Sequence, residues 1–222
     1  MSERLWGILI DSFPKILIPG LTATIPLTVI AFSLAMVIAV AAAMAQFAHV
    51  PVVTQLCRFY IWIFRGTPLL VQLFVVFYGL AKVGIRIDPF PSAVIVFSLN
   101  EGAYCAETVR AALEAVPSGQ LEAGYCAGMS YLQTMRRIIL PQAMRTAFPS
   151  LSNSLIAMVK DTSLAANITV VEMFRATQKI DARVYEPLAL YIEVGLIYLL
   201  FSTVLTWLQG IGEKKLGAYE EG

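Results

Sequence analysis

Residues 16–48 read ILIPGLTATIPLTVIAFSLAMVIAVAAAMAQFA, 33 consecutive positions without one charged side chain. As a helix this run reaches about 50 Å at ~1.5 Å per residue, more than the ~30 Å hydrocarbon core of a bilayer needs. Gly20 and Pro26 lie early in it, and Pro51 closes the far end. The reading is one long or tilted membrane span over residues 18–46. Thr22, Thr24, Thr28 and Ser33 can bond back to carbonyls of their own helix, so their hydroxyls are compatible with lipid.

Working outward, the rest of the chain has the same character. It is 58% hydrophobic and 14% charged, whereas a soluble domain is about 25% charged. Residues 66–81 form a second apolar run, preceded by RFYIWIFRGTP (Arg58–Pro68), whose mixture of arginines and aromatics suits the headgroup layer. That aromatic segment is expected to contribute the first turn or two of the second span. Residues 92–107 form a third span with acids at its end, 148–171 a fourth containing Lys160 and Asp161, and 187–211 a fifth containing Glu193. Glu172 to Glu186 reads as a charged connection. The fold class is therefore all-α: a polytopic membrane protein of five transmembrane helices, one domain over 1–222, with no internal repeat. Residues 1–11 carry both signs of charge and no short apolar run ending in small residues, so no secretory signal peptide is expected.

Several function classes fall away. A net charge of +1 makes a poor partner for nucleic acid. Three cysteines, Cys57, Cys105 and Cys126, lack CxxC spacing and read as small packing residues. His49 is the only histidine, which excludes HExxH zinc sites, and no P-loop is present. The chain is not expected to be an enzyme. It carries no cofactor of its own, so any ATP and Mg would be bound by a partner.

Residues 110–145 hold Arg110, Glu114, Glu122, Arg136, Arg137 and Arg145 and must lie on one side of the membrane. Within them, LEAGYCAGMSYLQTMRRIILP (Leu121–Pro141) breaks into two short helices at Gly128. Ser130 with Gln133 fits a capping box, so the second helix should start there. Leu132, Met135 and Ile139 share a face, and Pro141 should discourage helix at Leu140. Such a helix–Gly–helix unit suits either a groove on another protein or a lipid surface. Basic residues do not decide the orientation. With the N-terminus outside, eight Lys and Arg fall inside and seven outside, too even a split for the positive-inside rule.

The same stretch resembles the EAA loop of the permease (transmembrane) subunits of ABC importers. That pattern is Glu-Ala-Ala, three residues, Gly, nine residues, Ile, one residue, Leu-Pro. Glu122, Ala123, Gly128, Ile138, Leu140 and Pro141 fall in register, and the one departure is Gly124 in place of the second Ala. That departure is expected to cost the local helix about 1 kcal/mol. FRGTPLLVQLF (64–74), GAYCAETVRAAL (102–113) and VKDTSLA (159–165) resemble the polar amino-acid permeases, with the nearest likeness to cystine-type permeases through ILPQAMRTAFPSLSNSLIAMVKDTSLA. The resemblance implies an ABC-transporter permease in a bacterial plasma (inner) membrane, translocating an L-amino acid such as L-cystine. It implies a second permease subunit, two cytoplasmic ATPase subunits and an external substrate-binding protein as partners. It makes residues 110–145 cytoplasmic coupling helices, with Glu122, Ala123, Gly128, Arg136, Arg137, Ile138, Leu140 and Pro141 in the ATPase-docking role. The N-terminus is then outside and the C-terminus cytoplasmic.

An amino-acid substrate presents an ammonium and a carboxylate, and a site at membrane depth must answer both. Arg65 stands before Gly66, Thr67 and Pro68, beside potentially free backbone amides; Gln72 lies two turns further on. Glu107 ends the third span, and Asp161 lies in the fourth. These four are the substrate-binding candidates. Against them stand snorkelling of Arg65 to headgroups, an i, i+3 pair of Glu107 with Arg110, and an inter-span structural pair for Asp161. Glu101 and Glu193 come after them, and Tyr104 reads as packing. The alternative function is an ion-coupled secondary transporter using the intramembrane carboxylates, which leaves the capped loop without a role.

Overall fold

The computed structural model describes residues 3–48 and 50–217, so His49 and the acids Glu220 and Glu221 lie outside the described residues. Among the described residues every regular element is helical. In chain order these are α1 (Glu3–Phe47), α2 (Pro51–Gly66), α3 (Leu69–Lys82), α4 (Pro89–Glu114), α5 (Gly119–Cys126), α6 (Tyr131–Ile168), α7 (Met173–Val184) and α8 (Pro187–Gly217).

Proline is tolerated inside these helices by a local change of pitch. A proline lacks the N–H its turn needs, and its ring crowds the carbonyl four residues back. In α1 the chain widens into a π turn over Gly20–Thr24, where Ile25 N–H reaches Gly20 O, immediately before Pro26. In α6 the same device precedes Pro141: Leu140 N–H bonds Met135 O across the π turn Met135–Ile139. A π turn inserts one residue and relieves the crowding. Helix therefore continues through Leu140, contrary to the expectation from Pro141, and the second loop helix is the start of α6.

The expected second span also differs. Thr67 is extended (φ −123°, ψ 146°), the region favoured by a residue before proline. The chain turns by 103° there. The aromatic segment is thus a separate helix, α2, rather than the first turns of α3.

By length and composition α1 and α8 can each cross a membrane, and counting the bent pairs α2 with α3 and α6 with α7 as one span each gives four. Helix α4 is interrupted by Asn100, Glu101 and Glu107, yet it is the most enclosed element. It packs along α1, where Ala31, Ala35, Ala39 and Ala43 form a fully buried stripe at four-residue spacing. Facing it, Gly102, Ala103 and Ala106 are buried too. Small residues on both helices let the backbones approach, the packing that serves where lipid replaces water. Beyond this seam a cluster of Met135, Ile139, Ala143, Ala147 and Leu151 fastens α6 to α4 and α1. The outer helix α8 has only 17% of its most apolar window buried. Its exposed Leu196, Leu199, Leu200 and Trp207 form an apolar surface that lipid can cover.

The charged segment 172–186 is itself ordered. Glu172 is fully buried and caps α7, accepting from Phe174 N–H (2.8 Å) and Arg175 N–H (2.6 Å). Tyr198 Oη on α8 donates to the same carboxylate at 2.7 Å. Glu193 on α8 is buried and accepts from Ser12 of α1.

Candidate substrate cavity and loop surface

The break between α2 and α3 is held by amides. Gln72 Nε2 donates to Phe64 O (3.0 Å), Thr67 O (3.1 Å) and Thr67 Oγ1 (2.8 Å). Asn100 Nδ2 donates to Gln72 Oε1 and to Phe64 O, both at 3.1 Å. These bonds occupy carbonyls that the bend strips of helical partners. Gln72 is buried, and its amide is committed to the protein backbone and to Asn100.

The bend forms one wall of a cavity of about 420 Å³, lined by Thr67, Pro68, Leu69, Asn100, Glu101, Tyr104, Ser154, Ala157, Asp161 and Leu164. Helical spacing explains the set. Residues 100, 101 and 104 share a face of α4, and 154, 157, 161 and 164 share a face of α6. Asp161 sits where α6 changes from α to 3₁₀ pitch. Lys160 is exposed, so the adjacent cation and acid point apart. Two carboxylates, Glu101 and Asp161, line the cavity, and among the described residues no Lys or Arg does.

The sequence-derived candidates separate accordingly. Asp161 lines the cavity. Gln72 stands behind its wall. Arg65 borders it, with its guanidinium 5.3 Å from the ring centroid of Tyr104. The same Arg65 lies 3.8 Å from Glu107, which pairs with Arg110 at 2.9 Å, and Arg110 pairs with Glu114 at 2.7 Å. Glu107 is thus one rung of a charge ladder along α4. Arg110 donates to the Glu107 and Glu114 carboxylates, and these bonds hold its pKa above the ordinary value. Asn100 and Ser154 carry weight that the sequence reading did not assign. The signal for Asn100 was visible, as the polar neighbour of Glu101 in an apolar run. Ser154 is seven residues before Asp161, two turns along one face.

The loop is equally well defined. Helix α5 ends in a Schellman motif: Met129 N–H bonds Gly124 O at 3.0 Å and Gly128 N–H bonds Tyr125 O at 2.9 Å. Gly128 has φ +74°, a conformation that glycine adopts without strain. Ser130 and Gln133 form the capping box that starts α6. Glu122, Ala123, Arg136, Arg137 and Pro141 are exposed, with Ile138 and Leu140 half-buried. Leu132, assigned to one face with Met135 and Ile139, is 69% exposed while those two are buried. Its turn precedes the packed part of α6, and Thr134 occupies the buried position instead. Tyr125, Tyr131 and Leu132 together expose an apolar surface beside these charges.

Comparison with known proteins places this geometry in context. Residues 35–217 match the family described as binding-protein-dependent transport system inner membrane component. The chain is 45% identical over 215 residues to the L-cystine transport system permease protein TcyB of Bacillus subtilis (strain 168), covering 96% of this chain and 92% of that one. It is 38% identical over 210 residues to the L-cystine transport system permease protein TcyL of the same organism, covering 90% and 88%. A crystal structure of an amino acid ABC transporter with histidines superposes with a TM-score of 0.87 at 30% identity, covering 97% of this chain and all of that one.

Proposed function

The chain belongs to the family of binding-protein-dependent transport system inner membrane components, and from that premise we propose that it is the permease subunit of an ATP-driven importer of L-cystine. It is a transport subunit and not an enzyme. The cystine reading is supported by the 45% identity to an L-cystine permease over nearly the whole chain. The single geometric observation that carries it is the cavity lined by Glu101 and Asp161 and, among the described residues, by no cation. Paired carboxylates suit a ligand with ammonium groups, and L-cystine carries two. Arg65, beside Tyr104 at the rim, is the cation nearest to hand for a substrate carboxylate.

In this reading α1, α2 with α3, α4, α6 and α8 are taken as five spans, with the N-terminus outside and the C-terminus cytoplasmic. Helix α5 and the start of α6 then face the cytoplasm as coupling helices, with Glu122, Arg136 and Arg137 docking into an ATPase subunit that binds the nucleotide. A second permease subunit completes the pathway, and an external binding protein delivers substrate. Alternating access moves the α4–α6 cavity from one side to the other. The ion-coupled secondary-transporter alternative draws no support from the family match.

The test is uptake of labelled L-cystine into proteoliposomes holding the assembled complex. Uptake should require ATP and the binding protein, and Asp161→Asn should raise the substrate KM about 10- to 100-fold, the value of one charge-assisted hydrogen bond. Glu122→Arg should abolish ATP-dependent uptake with membrane insertion unchanged. Uptake driven by an ion gradient without ATP would overturn the reading.

A further inference from the structure

Gly124 is buried in the last turn of α5, at the one position where the loop departs from the EAA-type pattern. A Cβ placed there would lie 2.4 Å from Thr134 Cγ2, 2.5 Å from Thr134 Oγ1 and 3.0 Å from Thr134 Cβ. All three nearest atoms belong to one side chain. Thr134 is fully buried, and as a β-branched residue on a helix it has few rotamers. Its Oγ1 is tied to Ser130 O at 3.1 Å. Ser130 is itself locked in the capping box, with Ser130 N–H to Gln133 Oε1 at 2.8 Å. Burial and the bond to Ser130 O hold Thr134 in this position, and the missing Cβ of Gly124 is the space that receives it.

The two sides of this contact lead to different places. On one side α5 carries Glu122 and Ala123 on its exposed surface. On the other, Met135 follows Thr134 directly and is buried with Ile139 in the cluster that joins α6 to α4 and α1. From there α6 runs on to Asp161 in the cavity. The backbone link between α5 and α6 is a turn of few residues centred on Gly128, so the Gly124–Thr134 contact is the side-chain packing nearest to it.

We propose that Gly124 and Thr134 form a knob-and-socket joint that fixes the angle between α5 and α6, so that displacement of α5 by a docked ATPase moves α6 as one body. The proposal rests on the reading of α5 as an ATPase-docking helix. Both are positioning residues: neither touches substrate or nucleotide. The loss of helix propensity at Gly124 is the consequence of making room for Thr134.

The experiment uses the assembled complex with its ATPase and binding protein in proteoliposomes and measures L-cystine taken up per ATP hydrolysed. Gly124→Ala improves intrinsic helix propensity, so a purely local effect on α5 would leave this ratio unchanged. The joint instead requires the ratio to fall at least about fivefold, the lower range for coupling between sites, at normal assembly yield. Thr134→Ala removes the two closest atoms. The double variant Gly124→Ala/Thr134→Ala should therefore recover most of the ratio lost in Gly124→Ala alone. If Gly124→Ala does not assemble, recovery of both assembly and ratio in the double variant supports the joint, and failure of the double variant overturns it. A wild-type ratio in Gly124→Ala, or a double variant no better than the single, also overturns it. Glu122→Arg run in parallel separates the two ideas. If it uncouples while Gly124→Ala does not, only the joint falls; if it leaves ATPase stimulation intact, the docking reading falls and the joint with it.

Discussion

Replacing Gln72 with leucine isolates what holds the bend between α2 and α3. Leucine keeps most of the apolar volume and removes the amide. Gln72 Nε2 has two hydrogens shared among Phe64 O, Thr67 O and Thr67 Oγ1, and its Oε1 accepts from Asn100. Three hydrogen bonds' worth of stabilisation is at stake. Bonds inside membrane proteins average ~0.6 kcal/mol and those in soluble proteins about 1 kcal/mol, which puts the loss at about 2–3 kcal/mol. Asn100 keeps one partner, Phe64 O at 3.1 Å, while Thr67 O loses its Gln72 donor. For a chain of this size the unfolding midpoint should fall by roughly 4–12 °C, read as thermal unfolding of the detergent-solubilised protein. The cavity wall at Thr67, Pro68 and Leu69 should loosen, so uptake should fall with the midpoint, and Gln72→Glu, which sets a buried carboxylate against the carbonyls of Phe64 and Thr67, should recover neither. A variant with an unchanged midpoint and a raised substrate KM would refute this reasoning, because the amide would then be answering substrate and not backbone.

Three further outcomes follow from the geometry. Glu172→Ala removes the cap of α7 and the acceptor of the Tyr198 hydroxyl, so it should cost about 2–4 kcal/mol and expose α7 to protease; an unchanged midpoint and digestion pattern would contradict the capping role. Ser130→Ala should cost about 1 kcal/mol and speed amide exchange in the first turn of α6 alone; faster exchange throughout α6, or none, would show that the cap does not set that helix end. Glu107→Gln breaks pairs at 2.9 and 3.8 Å to side chains 30% and 44% exposed, so solvent screening should hold the loss below about 1 kcal/mol; a midpoint drop beyond roughly 4 °C would mean the ladder is sealed from water.

Much of this was legible in residue order because the relevant physics is local. A charge-free run such as 16–48 is a helix in lipid whatever surrounds it, since no other local structure satisfies its backbone. The capping box at Ser130 and the glycine at 128 act within a few residues, and both stand in the structure as read. Asp161 beside Lys160 was legible as a candidate because an acid in an apolar run has to be accounted for. The readings that changed involve a competing local rule. Pro141 does discourage helix before it, but a π turn over Met135–Ile139 answers the same conflict and leaves α6 continuous. The aromatic segment 58–68 suits a span or a surface equally by composition, and Thr67–Pro68 with Gln72 makes it a separate helix.

The sequence by itself determined that the chain is helical, that it is built for lipid, and that residues 121–141 form a capped helix pair around Gly128. Periodicity, charge exclusion and capping chemistry specify these things over one or two turns. Only the tertiary structure decided which polar groups meet. Gln72 and Asn100 are 28 positions apart, and Glu172 and Tyr198 are 26 apart. Glu101 and Asp161 share a cavity because α4 and α6 pack against each other. The pairing of Gly124 with Thr134 belongs to the same class: a glycine read as a weak point in one helix is the space that another helix fills. Close packing couples residues by shape across the fold, and shape complementarity leaves no periodic signature in the order of residues.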